Sequence, residues 1–166
     1  MLLPAPVPAV RRSASRLAQQ LLFRTGLLEI FHALNPRRLT VFAYHRIDDP
    51  FRAGFDTFAP NVSATPQEFA RHMDYVARRF NVIGVEKLAA WLTGHATLPR
   101  YPALITFDDG YADNLHHAFP ILQARRLPAI IFLATDYIGG RAPFYWDLVA
   151  YCFKHTQRDS ADLPRQ

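Results

Sequence analysis

Two adjacent carboxylates followed by a glycine, Asp108-Asp109-Gly110, are the residues of this chain with the clearest chemical potential. Placing two like charges side by side is costly unless a cation or a shared proton offsets the repulsion. A divalent metal does so directly. One carboxylate can ligate the ion while its neighbour acts as a general base towards water. Gly110 supplies the backbone freedom for a sharp turn away from the element that carries the pair. An Asp-Asp-Gly turn in isolation would equally suit a solvated helix start, with the acids capping a helix that begins near Asp113. The context favours the chemical reading, because the apolar run Ala103–Phe107 (ALITF) leads straight into the pair.

That run predicts a buried strand, and similar elements surround it. Leu39–Tyr44 (LTVFAY) is rich in strand formers and ends at His45; Asn81–Gly84 allows a brief strand; Ala129–Ala134 (AIIFLA) predicts another. Helical signals alternate with them. Thr65-Pro66-Gln67-Glu68 has an N-cap, a proline at the first helical position and a capping-box glutamate. Phe69, Met73, Val76 and Phe80 then recur at helical spacing, an aromatic stripe that belongs to the core. Val85–Thr93 predicts a second helix closed by Gly94, and about Asp113–Arg126 a third that Pro120 must kink or restart. Trp146–His155 predicts a fourth, and Thr156–Gln166 is a polar tail. Strand and helix in alternation imply an α/β architecture with a parallel sheet, in which functional residues gather at the carboxyl ends of strands. His45 and the Asp108-Asp109 pair both occupy that position.

The other candidates are weaker. His116 and His117 follow the pair on the third helix, where Asp113 and His117 at i, i+4 could share a metal, but a structural or solvated role is favoured for both histidines. The loop Arg141–Asp147 (RAPFYWD) offers Tyr145 and Trp146 for stacking on sugar rings, or for anchoring the next helix. Cys152, the single cysteine, excludes an internal disulfide and a cysteine zinc cluster; its apolar neighbours Tyr151 and Phe153 favour burial.

TFDDGYADN (Thr106–Asn114), an amphipathic helix, Leu127-Pro128-Ala129 and IIFLAT (Ile130–Thr135) together resemble the first motif and next strand of the polysaccharide deacetylase family, the chitin and peptidoglycan deacetylase-like carbohydrate esterases. FAYHRI (Phe42–Ile47) looks like the opening strand of the branch linked to exopolysaccharide and cell-wall synthesis. The similarity runs from about Leu39 to Tyr151. It implies the N-terminal part of a distorted (β/α) barrel that hydrolyses N-acetyl groups on an amino-sugar polymer, with Asp108 as catalytic base and Asp109 as ligand to a divalent metal, zinc in expectation. It also places His45 near the cleft and makes Tyr111, inside the motif, a candidate to touch substrate or support the site. The family completes its metal site with two histidines of a later His-Ser/Thr-x-x-His type motif, and no pair at that spacing follows Asp109 here. The metal site is therefore expected to be incomplete in this chain, and residues 39–166 to be a partial deacetylase domain lacking its C-terminal half. The competing expectation is an inactive saccharide-binding or membrane-associated scaffold. A magnesium phosphoryl-transfer site lacks the glycine-rich phosphate loop it would need.

Half of the 166 residues are apolar and 20% are charged, an ordinary globular composition. The net charge of +5 is local: residues 1–38 carry six arginines and Glu29, whereas residues 39–166 carry 13 basic and 13 acidic side chains. A nucleic-acid enzyme would spread its basic stripe over the folded body, so nucleic acid is excluded as a partner. Within the leader 1–38, the segment 11–34 combines arginines with an apolar helical face. Peripheral contact with an anionic membrane and packing on a protein surface both suit such a helix, which Asn35-Pro36 should end. Met1–Val10 holds three prolines and no basic residue, unlike a secretory signal, and no apolar run approaches the length of a membrane span. These features leave the location open between cytoplasm and membrane periphery.

Overall fold

The computed structural model describes residues 25, 30, 33–140, 142–158 and 160, and the chain divides into two units, Met1–Arg38 and Leu39–Gln166. In the first unit Ala33 and Leu34 are helical and the helix stops before Pro36, as the proline requires. Most of the expected basic amphipathic helix, residues 11–24, 26–29, 31 and 32, lies outside the described residues.

In the second unit, β1 (Thr40–Tyr44), β2 (Arg46–Ile47), β3 (Val62–Ala64), β4 (Asn81–Val82), β5 (Pro102–Asp109) and β6 (Ile130–Leu133) alternate with helices α1 (Pro66–Arg79), α2 (Val85–Leu92), α3 (Phe119–Arg125) and α4 (Tyr145–His155). β5 is the central strand of a parallel sheet, pairing with β1 from Ala103 to Phe107 along one edge. Its other edge is shared, by β4 at Pro102–Ala103 and by β6 at Thr106–Asp109. β2 and β3 form a separate parallel pair.

α1 begins as its sequence dictates: Thr65 and Glu68 complete a reciprocal capping box with Pro66 in the first turn. Its stripe Phe69, Met73 and Val76 is fully buried against Tyr44, Ile105 and Phe107 of the sheet, Leu122 of α3 and Ala118 just before it. Tyr44 meets Phe69 edge-on and stacks on Phe107, with ring centroids 5.0 and 5.7 Å apart. This aromatic core fixes the face that β1 and β5 turn towards the helices, and hence which residues point the other way.

The expected helix over 113–126 is two pieces. Asn114–Ala118 is a π-helical turn, and α3 restarts at Phe119 with Pro120 in its first turn, where the missing N–H costs little. Cys152 corrects another expectation, because it is exposed. Tyr151 and Phe153 beside it are exposed too, so its apolar neighbours do not report a buried helix face. Among the described residues β6 pairs only with β5, and Ile131, Phe132 and Leu133 remain 47–57% exposed.

Candidate active site

The sheet carries the aspartates further than the apolar pattern suggests. β5 continues through both, with Asp108 paired to Phe132 and Asp109 to Leu133, so the turn starts only after the pair. Phe107 faces the aromatic core, and the strand's alternation therefore aims Asp108 to the opposite face, with Leu104 and Thr106. Tyr44 is in register with Phe107, so the next residue on that side, His45, comes beside Asp108. Its Nε2 lies 3.8 Å from Asp108 Oδ2, and both side chains keep access to solvent. His45 is itself held by its backbone, donating to Ser63 Oγ and accepting from Asn114 Nδ2.

Asp109 has φ +70° and Gly110 φ +77°, two successive left-handed residues. A Cβ at Gly110 would also stand 2.5 Å from Leu133 Cδ2, so the tip of that exposed side chain would have to move. Burial pushes the Asp109 carboxyl above its usual range; the charge of His45 opposes this, while Asp108 and Asp147 reinforce it. The pair does not serve as a helix cap: the π-helical turn starts from Asp113 without a side-chain cap bond.

Beneath the pair lies a buried ionic network. Arg46 Nε donates to Asp113 Oδ2 at 2.8 Å and Nη2 to Asp48 Oδ2 at 3.2 Å, and Nη1 donates to Thr57 Oγ1. Its guanidinium lies 4.6 Å from the Tyr111 ring centroid and 5.2 Å from that of Phe55. Burial raises the Asp48 carboxyl, but hydrogen bonds from Arg52 and the Asp49 N–H, and the charges of Arg52 and Arg46, more than offset it and hold the group below its usual range. Asp113 Oδ1 accepts the Ile47 N–H, and His117 Nδ1 donates to the Ile47 carbonyl at 2.6 Å. The i, i+4 pair thus grips the backbone N–H and C=O of one β2 residue, Ile47, and His116 is exposed. The pairings of Arg46 with Asp113 and of Tyr111 with Asp147 are not legible in the sequence, because the partners are 67 and 36 residues apart.

Tyr111 Oη donates to Asp147 Oδ2 and accepts from Trp146 Nε1, while Trp146 stacks on Phe144 with centroids 4.9 Å apart. Of the two aromatics offered either for sugar stacking or for anchoring the helix, Trp146 packs within the protein and Tyr145 is the exposed one. Burial, more than the hydrogen bonds, pushes the Tyr111 hydroxyl upward.

The fold and the site together are thus a parallel α/β sheet with paired aspartates at the end of its central strand. Residues 95–155 match the model of the family described as polysaccharide deacetylase. YxkH of Bacillus subtilis (strain 168), provisionally named a polysaccharide deacetylase, is 28% identical over 105 residues, which cover 63% of this chain and 34% of the relative. A de-N-acetylase from Aggregatibacter actinomycetemcomitans shares the fold, with a TM-score of 0.54 and 24% identity over 64% of this chain and 42% of the other. The Streptococcus pyogenes deacetylase PplD, solved in complex with acetate, shares it with a TM-score of 0.52 and 19% identity over 66% of this chain and 49% of the other. The chain thus spans between about a third and a half of the length of these relatives.

Family members are generally metal-dependent, but the described residues bring together no group of three or more His, Cys, Asp or Glu side chains that could hold an ion. Catalytic zinc normally takes three protein ligands. Such a set is not found among the described residues. No helix of the described residues is long and apolar enough to cross a membrane.

Proposed function

We propose that this chain supplies the general base and one metal ligand of an enzyme that removes N-acetyl groups from an amino-sugar polysaccharide. The observation that carries this reading is the Asp108-Asp109 pair at the carboxyl end of β5, with His45 Nε2 3.8 Å from Asp108. In this assignment Asp108, which solvent reaches, takes the proton of the water that attacks the acetamide carbonyl. Asp109 is a ligand to a divalent ion, zinc in the first instance, which would supply Lewis-acid polarisation when bound. The raised pKa of Asp109 supports that role, since a cation would relieve the burial and negative charge that disfavour its ionised form. His45 steadies the charge of Asp108, and Tyr145 is the aromatic surface offered to sugar. Residues 39–166 are read as a partial deacetylase domain. The shortage of ligands favours one alternative, a saccharide-binding scaffold without turnover.

The base and ligand assignments separate in a paramagnetic titration of the full chain, which reads weak binding without requiring turnover. Mn²⁺ should broaden the amide resonances of residues 107–110 in wild type and in Asp108→Asn, and leave them sharp in Asp109→Asn. Undiminished broadening in Asp109→Asn would remove the ligand assignment.

A further inference from the structure

We propose that Asp147 is a positioning residue for the Asp108-Asp109 pair, acting through Tyr111; its relevance to catalysis rests on the reading of that pair given above. Of the two consecutive left-handed residues, Gly110 takes that backbone freely, whereas Asp109 is a non-glycine residue whose left-handed backbone is held by its surroundings. The residue that leaves this turn is Tyr111, and its side chain is fixed on every side. Arg46 lies over its ring, the Phe144 ring centroid is 4.7 Å away, and its hydroxyl accepts from Trp146 Nε1 at 2.6 Å and donates to Asp147 Oδ2 at 2.9 Å. The phenolic proton is committed to Asp147, so Tyr111 acts by place and not as a donor to substrate.

Asp147 is only 5% exposed although it carries a carboxylate. Its other oxygen, Oδ1, accepts the Phe58 N–H at 2.9 Å. A carboxylate in the first turn of a helix ordinarily answers to that helix's own N–H groups, yet the start of α4 at Phe144 has no side-chain cap bond. Both oxygens of Asp147 are instead spent on other segments, one on the turn that follows the aspartate pair and one on the loop before β3. Only an acceptor on both oxygens satisfies two donors facing it from different sides. The group therefore ties the start of α4 to the turn that sets the direction of Asp109.

The test is native-state hydrogen exchange on the full chain, comparing wild type with Asp147→Asn and Tyr111→Phe. The reporters are Gly110, Asn114 and Ala134, whose N–H groups bond to the carbonyls of Asp108, Tyr111 and Asp109 respectively. Asparagine keeps the shape but turns one acceptor into a donor, so one of the two bonds must fail, and exchange at the three reporters should quicken by about tenfold. Tyr111→Phe should produce the same local change, and the double variant no more than either single one, because both break one connection. Amides of β5 paired to β1, such as Phe107, should exchange within about twofold of wild type, which a loss of global stability would not allow. Unchanged reporters, an equal acceleration throughout β5 and α1, or additive effects in the double variant would each overturn the proposal. Should Asp147→Asn not fold, Tyr111→Phe alone, which keeps the ring packing, decides between local and uniform acceleration. None of these readouts depends on acetamide hydrolysis, so failure of the deacetylase reading and failure of this inference are distinguishable.

Discussion

Replacing Arg46 by methionine should be among the most destabilising single changes in the second unit. The guanidinium is the only side chain joining Asp113 and Asp48 among the described residues, and these two carboxylates are 6% and 3% exposed. Breaking a buried ion pair on one side typically costs about 3–5 kcal/mol, because a charge is left without its partner. Here the lower end applies. Asp113 keeps the Ile47 N–H and the Asn114 amide, Asp48 keeps Arg52 and the Asp49 N–H, and methionine fills much of the vacated space. A loss of about 3 kcal/mol corresponds to roughly 10 °C in Tm for a domain of this size. Urea unfolding followed by circular dichroism at pH 7 measures it, with Arg52→Met as the control. The Arg52 guanidinium contacts the same Asp48 but is half exposed, so its removal should cost far less than that of Arg46. If Arg46→Met and Arg52→Met lose the same small amount, the buried network does not hold the strand end in the way described.

Asp109→Asn should stabilise the protein at pH 7, and asparagine tolerates the left-handed backbone there. Because the folded carboxyl titrates above its ordinary 3.8, ionisation penalises the folded state at neutral pH, and the variant's advantage should vanish below about pH 4, where both states are protonated; a Tm series against pH in which the advantage grows with acid would contradict it. Gly110→Ala and Gly94→Ala share nearly the same positive φ and should each lose about 1–2 kcal/mol, with Gly110→Ala the worse because only its Cβ meets Leu133. Equal or reversed losses in urea unfolding would exclude that contact. For the leader, attachment to anionic liposomes should weaken with salt, each basic residue near the surface contributing about 1 kcal/mol. Flotation in which residues 36–166 bind as well as the full chain would remove segment 11–34 from the explanation.

Much of this fold is written in short-range patterns. The capping box at Thr65–Glu68, the stripe Phe69, Met73 and Val76, and the apolar run into Asp108 act over a few residues, so their outcome follows from local chemistry. The end of β5 was less legible. Asp108 and Asp109 lie in the strand because β6 pairs alongside them, and no periodicity in 103–109 announces that partner. Nor does local sequence reveal that the Asp113 and His117 side chains close on the backbone N–H and C=O of Ile47, or that Asp147 reaches back to Tyr111. Polar partners that meet only through tertiary packing carry no helical or strand period. Cys152 shows the converse error: apolar neighbours in sequence do not ensure burial when the helix face they share is open.

The proposal is that this chain supplies the base and one ligand of a deacetylase site, a fuller set of ligands not being found among the described residues. Purified full-length chain, analysed for bound metal and assayed for acetate release from an N-acetylglucosamine oligomer with and without added zinc, tests it most directly. The account predicts well under one tightly held ion per chain and no zinc-dependent acetate release, since one carboxylate falls short of the roughly three protein ligands of catalytic zinc. One tightly held ion per chain together with zinc-dependent release would contradict it, and would show that the chain completes its own site.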